Sequence, residues 1–320
     1  MNNSENLSKN EKLSNNKQIN FDKNIVSSIK HTLNYAFDIF ISRYGEENLT
    51  QNTIYQYKNI YNNYISTSIG YLFIDEIKFS HLSELHFNNR HHPYQANRIR
   101  SICSKLFNWC FINGFKTNDF NPAQYVKPYK ESKKLDFLNE KTLNDIWNII
   151  NDLENKNKIN FVPAAALKIL LLTGARKNEI LSLQWKDINF ENKRINLEKS
   201  KTGNRTILLN EVCIDILKSM PKISKYVFPG TNNNDNHWND LRYQWKKIIS
   251  ILNLTGRWRI HDLRHGFASV AVNNGGSLSF IAHLLGHKNT STTARYSHVA
   301  DTPARNLLNN VINIIINKNQ

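Results

Sequence analysis

The chain has 320 residues, with 42 Lys or Arg against 26 Asp or Glu, a formal net charge of +16; this length suits two compact domains, because single cores stop growing below about 250 to 300 residues. The basic excess is spread along the chain, 17 basic and 11 acidic side chains up to residue 135 and 25 and 15 after it, a distribution that suits a protein closing around a polyanion. Cys103, Cys110 and Cys213 lack the CxxC spacing of zinc or redox sites, and the longest strongly apolar run, 164–172, is broken by Lys168 and falls short of the ~20 residues a bilayer needs. With no apolar leader at the N-terminus, a cytoplasmic protein with buried cysteines and no membrane partner is expected.

Residues 1–25 are Asn, Lys, Ser and Glu with almost nothing to bury, so a disordered polar lead is expected. Residues 26–125 show helical spacing. Leu33, Phe37, Phe40, Ile41 and Tyr44 form one stripe; Ile54, Tyr57, Tyr61, Tyr64 and Ile65 form another between Thr50 and Gly70. In YQANRIRSICSKLFNWCFINGF, Ile99, Cys103, Leu106 and Cys110 share a face, while Arg98, Arg100 and Lys105 carry charge away from it. Those three are candidate DNA contacts, although a solvated face would look the same. VKPYKESKKLD, residues 126–136, reads as a basic linker whose Lys130, Lys133 and Lys134 could follow a phosphate backbone.

A mixed α and β region is expected over 137–303. Asn139 is placed to cap EKTLNDIWNIINDLE, the apolar helix VPAAALKILLLTG stops at Gly174, and ARKNEILSLQW reads as a turn leading into a short helix. RINLEKSKTGNRTILLN alternates and breaks at Thr202-Gly203-Asn204, as a hairpin does. Helices are expected at about 237–252, 261–273, 277–286 and 290–297. An amphipathic tail over 304–320 follows, with Leu307, Leu308, Val311, Ile314 and Ile315 in helical register. No repeat of 20 to 50 residues is visible.

The chemistry concentrates between His261 and Tyr296, in HDLRHGFASVAVNNGGSLSFIAHLLGHKNTSTTARY. Phosphoryl transfer needs a nucleophile, positive charge on the non-bridging oxygens and a proton donor for the leaving oxygen; all three types of group occur here. Taken in order, TGARKNEILSLQWKDI, SKTGNRTILL, HDLRHGFAS and LLGHKNTSTTARYSHV resemble the catalytic domain of the tyrosine recombinases, the family of phage integrases and Xer-type recombinases. The likeness covers roughly 137–300, and 26–125 resembles the family's helical core-binding domain less sharply. It implies a mainly α fold with a small antiparallel β-sheet, in which a SAM-like core-binding domain is joined to an α+β catalytic domain.

The resemblance also implies roles. Tyr296, nine residues after His287, would attack the scissile phosphorus to give a 3′-phosphotyrosyl bond and a free 5′-hydroxyl. Arg176 and Arg264 match the two phosphate-clamping arginines, whose planar forks suit a pentacoordinate transition state. Lys201, at the hairpin tip, matches the general acid for the 5′-oxygen, with Lys199 as the alternative if the register is shifted. His261 and His287 match positions that bind phosphate oxygens or move the nucleophile's proton, and Glu179 matches a supporting acid. The family acts without a cofactor, because the phosphotyrosine conserves the bond energy, and it works as a homotetramer on two double-stranded DNA sites through a Holliday junction, with room for accessory proteins.

The alternatives are a relaxation activity like that of type IB topoisomerases and a DNA-binding protein without chemistry. His261/His265 and His283/His287 are i, i+4 pairs, but Asp262 and Leu284 stand where HExxH needs Glu, so no metal is expected. KTG also marks serine penicillin-binding enzymes, yet the SxxK nearest to it, Ser219 to Lys222, follows it rather than precedes it. In relatives the tail docks on a neighbouring protomer, whereas packing on its own domain is the plainer alternative. Residues 1–25 do not resemble the arm-binding domain of many phage integrases.

Overall fold

The computed structural model describes residues 30–131, 137–200, 203–231, 236–254, 256 and 258–286. The chain divides into two compact units, residues 1–134 and 135–320. Among the described residues both are mainly helical, and the second adds a three-stranded antiparallel sheet, the fold class the sequence implies. No helix among them is long and apolar enough to cross a membrane.

In the N-terminal unit, α1 comprises Leu33–Ile39, a π-helical segment Phe40–Gly45 and a last turn Glu46–Asn48. Helix α2 is built the same way from Gln51–Ile60, a π segment Tyr61–Ile65 and Ser66–Ile69. Thr32 and Thr50 open them, each hydroxyl accepting from a backbone N–H three residues on, which satisfies a donor the first turn leaves unpaired. Helix α3 spans Phe79–Asn88 and α4 spans Pro93–Ile112. The expected stripes meet inside: Leu33, Phe37, Phe40 and Ile41 pack with Ile54, Tyr61 and Ile65 and with Ile99, Cys103, Leu106 and Cys110, all buried. Tyr61 stacks on Phe37 at 3.6 Å between ring centres, and its hydroxyl donates to Asn34 Oδ1 at 2.9 Å. Burial pushes the Cys103 and Cys110 thiols up to about 12, so both behave as small apolar residues.

In the C-terminal unit α5, Glu140–Asn155, is capped by the Asn139 carboxamide, and α6, Phe161–Thr173, runs through the core with Ala164–Leu167 and Ile169–Leu171 buried. After α7, Lys177–Leu181, come β1 (Ile188–Asn189), β2 (Arg194–Ser200) and β3 (Gly203–Leu208). They lie in the order β1-β2-β3, with Ile195 opposite Ile207, and both side chains are buried. Helices α8 (Glu211–Lys218), α9 (Arg242–Ile251), α10 (His261–Asn273) and α11 (Leu278–Leu285) complete the unit.

Three elements, α3, α8 and the two-residue β1, go beyond the sequence reading. Helix α9 starts at Arg242 rather than near 237, because His237 pairs as an isolated bridge with Pro229 and the Trp238 N–H is taken by the Phe228 carbonyl. The expected helix at 290–297, the tail 304–320 and the lead 1–25 lie outside the described residues.

Candidate active site

Gly174 ends α6 in the left-handed region at φ 60°. A Cβ at this position would come within 2.7 Å of Phe267 and 2.9 Å of Leu285, so only glycine turns the chain here without strain. The turn delivers Arg176 to the N-cap of α7, where the backbone is extended. Glu179, one helical turn on, reaches back: its Oε2 accepts from the Arg176 N–H at 2.9 Å and its Oε1 from Arg176 Nη1 at 2.7 Å. Oε2 also accepts from Nη1 of Arg205, which lies on β3. Burial alone would raise the Glu179 pKa, but the Arg205 charge and the bonds from Arg176 and Arg205 outweigh it and hold the carboxyl below its ordinary value.

Arg264 sits one turn into α10 and is 3% exposed. Its Nη1 donates to the Gly174 carbonyl at 3.0 Å and its Nη2 to the Leu285 carbonyl at 2.6 Å. Arg176 Nη2 donates to the Gly286 carbonyl at 3.4 Å, and Arg205 Nη2 to the Leu284 carbonyl at 3.3 Å. Three guanidiniums from three elements therefore hold three consecutive carbonyls at the end of α11. A helix C-terminus presents unpaired carbonyls and partial negative charge, which is why cations collect there. Gly286, at φ 65°, leaves no room for a Cβ, since one would lie 2.6 Å from Arg205 Nε.

His261 opens α10, and its ring meets that of His265 edge to face at 4.9 Å. Desolvation, then Arg264 and Arg259, hold its imidazolium below the ordinary value; Asp262 works against them. Near neutral pH the ring is thus mainly uncharged, able to donate from one nitrogen and accept at the other. Asp262 is itself engaged, accepting from the Arg259 N–H at 2.7 Å.

Arg176 and His261 line an open cleft of 650 Å³ together with Glu179, Gln184, Tyr226 and His237. A neighbouring recess of 550 Å³ shares Lys177 and His261 and carries Arg242, Lys246 and Arg259 around Trp245. At the end of α11, beside the cleft, three guanidiniums share the neighbourhood of a single carboxylate, Glu179, which gives that cluster a positive field. Such a field stabilises an anion whose charge grows during reaction, such as a phosphate diester under attack. Among the described residues no group of His, Cys, Asp and Glu side chains could hold a metal ion.

The structure brings Arg176, Glu179, His261 and Arg264 together, while Lys201, His287 and Tyr296 lie outside the described residues. Arg205 was not singled out from the sequence. The available signal was its phase on β3: it shares the inward face with buried Ile207, a core position holding a charge.

In the N-terminal unit Arg98 is exposed and donates to Gln56 Oε1 at 2.7 Å. Arg100 turns instead to the backbone, donating to the carbonyls of Val126 at 2.5 Å and Gln124 at 3.2 Å. The Lys105 ammonium lies 4.6 Å above the Tyr44 ring. Lys130 is exposed; Lys133 and Lys134 lie outside the described residues. The first half of the expected linker is held to α4, because Asn97 bonds both the N–H and the carbonyl of Tyr129, each at 2.9 Å.

Residues 136–302 match the model of the phage integrase family. The tyrosine recombinase XerC of Pediococcus pentosaceus is 31% identical over 194 residues, 57% of this chain and 64% of that protein, so the chain spans just under two thirds of that relative's length. The tyrosine recombinase XerD of Staphylococcus saprophyticus is 27% identical over 281 residues, 82% of this chain and 93% of that one. In fold, the chain is similar to the lambda integrase of a tetramer bound to a Holliday junction, with TM-score 0.65 and 18% identity, covering 86% of this chain and 81% of that one.

Proposed function

This chain belongs to the phage integrase family, the tyrosine recombinases, and from that premise we propose that it is a site-specific recombinase that breaks and rejoins duplex DNA through Tyr296. One observation carries the reading: Arg176, Arg205 and Arg264 gather on the carbonyls of residues 284–286 at the end of α11, with His261 near them. In the reaction the Tyr296 phenol oxygen attacks the scissile phosphorus and loses its proton to a neighbouring base. His261, uncharged near neutral pH, and His287 are the candidates. A 3′-phosphotyrosyl ester forms as the bond to the 5′-oxygen breaks, and Lys201 protonates that oxygen. Arg176 and Arg264 stabilise the charge that builds on the non-bridging oxygens. The ester keeps the energy of the broken bond, so a 5′-hydroxyl from a second duplex reverses the step and exchanges strands.

The partner is double-stranded DNA, bound by a homotetramer across two sites; the lambda integrase tetramer on a Holliday junction, similar in fold, supports this arrangement. Arg98, Arg100, Lys105, Lys130, Lys133 and Lys134 are proposed DNA contacts of the N-terminal unit and linker. Arg98 and Lys130, whose side chains stay exposed, are the strongest of those described.

The test uses a duplex that the protein itself selects from a random-sequence pool, nicked beside the scissile phosphate so that cleavage traps the adduct. Wild type should form a covalent protein–DNA species that survives denaturation, and Tyr296→Phe should form none while binding the same duplex with unchanged affinity. A wild-type protein that binds the selected duplex and yields no adduct at any nick position overturns the proposal.

A further inference from the structure

We propose that Arg205 is a positioning residue for this reaction, one that sets the guanidinium of Arg176 and residues 284–286 at the end of α11 without touching the DNA. The inference rests on the recombinase reading above.

Arg205 occupies an inward-facing position of β3, in phase with Ile207, and its side chain is 3% exposed. A leucine or methionine would fill such a site at least as favourably, since removing a guanidinium from water costs several kcal/mol that one ion pair barely offsets. Stability therefore gives a weak reason for an arginine here, whereas the connections give a specific one. Nη1 bonds Glu179 Oε2, the same carboxylate whose Oε1 fixes Arg176 Nη1. Nη2 bonds the Leu284 carbonyl, two residues before Gly286, and the guanidinium packs where a Cβ of Gly286 would stand.

Arg176 by itself bonds both Glu179 oxygens, but those bonds only tie neighbours three residues apart to each other. Arg205 adds the tie that anchors the pair to β3 and to the Leu284 carbonyl, and without it the Arg176–Glu179 pair can shift as a unit. The planar fork matters as much as the charge: an ammonium can pair with Glu179 but cannot also reach Leu284 at a fixed angle. Among the described residues Arg205 Nε is buried with no hydrogen-bond partner. This site keeps an unpaired donor rather than give up the fork.

The test compares wild type, Arg205→Lys and Glu179→Gln on the nicked, self-selected duplex, with the scissile linkage either a normal phosphate or a methylphosphonate. The methylphosphonate lacks the non-bridging charge that Arg176 serves. On the phosphate, the single-turnover rate of adduct formation should fall by about tenfold to a hundredfold for Arg205→Lys, in line with the cost of displacing a catalytic group by about 1 Å. DNA affinity should stay at the wild-type value, and the fall in Tm from losing the buried Leu284 bond should leave the protein folded at the assay temperature. On the methylphosphonate, the gap between variant and wild type should narrow by at least threefold, because a misplaced Arg176 matters less when there is no charge to meet. A purely structural role would lower both rates alike. Any pattern other than a phosphate-specific loss in a folded protein overturns the proposal. If Arg205→Lys does not fold, Glu179→Gln decides on the same criteria. Absence of adduct with wild type would instead count against the recombinase reading.

Discussion

His261 links acidity to stability through a single ring. Its folded-state pKa lies below the ordinary value of 6.5, so the folded chain binds fewer protons at this position than the unfolded chain. Its contribution to stability is then fully present above the ordinary value and is lost as pH falls through the depressed one. We expect Tm to fall between about pH 7 and pH 5, and His261→Gln to flatten part of that fall, by a modest amount because the ring is partly exposed; parallel melting curves of the two proteins across this range would check it. Arg264 carries the opposite risk. It is buried and bonds two carbonyls, so Arg264→Ala should lower stability by about 3 to 5 kcal/mol in denaturant titrations and confound any loss of activity. At this scale the motif residues Arg176, Glu179, His261 and Arg264 were legible because each sits at a fixed offset from a glycine, a helix start or another motif letter. Arg205 was not, because a motif records residue type and spacing but not whether a charge points inward.

Helix ends place these residues. Gly174→Ala should cost about 1 to 3 kcal/mol, because the side chain must enter the left-handed region and push against Phe267 and Leu285. The loss of adduct formation should exceed what the fall in Tm explains, since the same turn positions Arg176. Asn139→Ala should cost about 1 kcal/mol by urea titration and leave catalysis unchanged, because its carboxamide only caps α5. Both ends could be read from the sequence, since Asn before an amphipathic stretch and Gly after an apolar one satisfy backbone groups in known ways. Helix α3 escaped because it opens after Lys78, which is not one of the residues that usually cap a helix. Helix α8 escaped although Asn210 caps it, because its short run EVCIDILK follows directly on the alternating stretch of β3. β1, with two residues, is defined only by its partner β2.

For the whole molecule, the net charge of +16 and the division into two compact units matter most. DNA affinity should fall about a thousandfold or more between 50 and 200 mM salt if six or more phosphates are contacted, as a filter-binding series would measure. The slope should be shallower than the count of basic side chains suggests, because Arg100 and Lys105 are turned to backbone carbonyls and a tyrosine ring. The division into two families of stripes, helical first and mixed after, could be seen in the sequence because each core draws on local periodicity. The gathering at the end of α11 could not, because nothing local announces it. The bonds from Arg264, Arg205 and Arg176 to residues 284–286 join positions 21, 79 and 110 apart in the chain. Contacts that close long loops form late in folding, after local helices and hairpins have paid their entropy. Arg176 and Arg205 can meet at Glu179 within a span of thirty residues, but their junction with Arg264 closes only when residues 284–286 join them, so the positive cluster is completed by its longest-range contacts and is the part of the unit most exposed to a folding error.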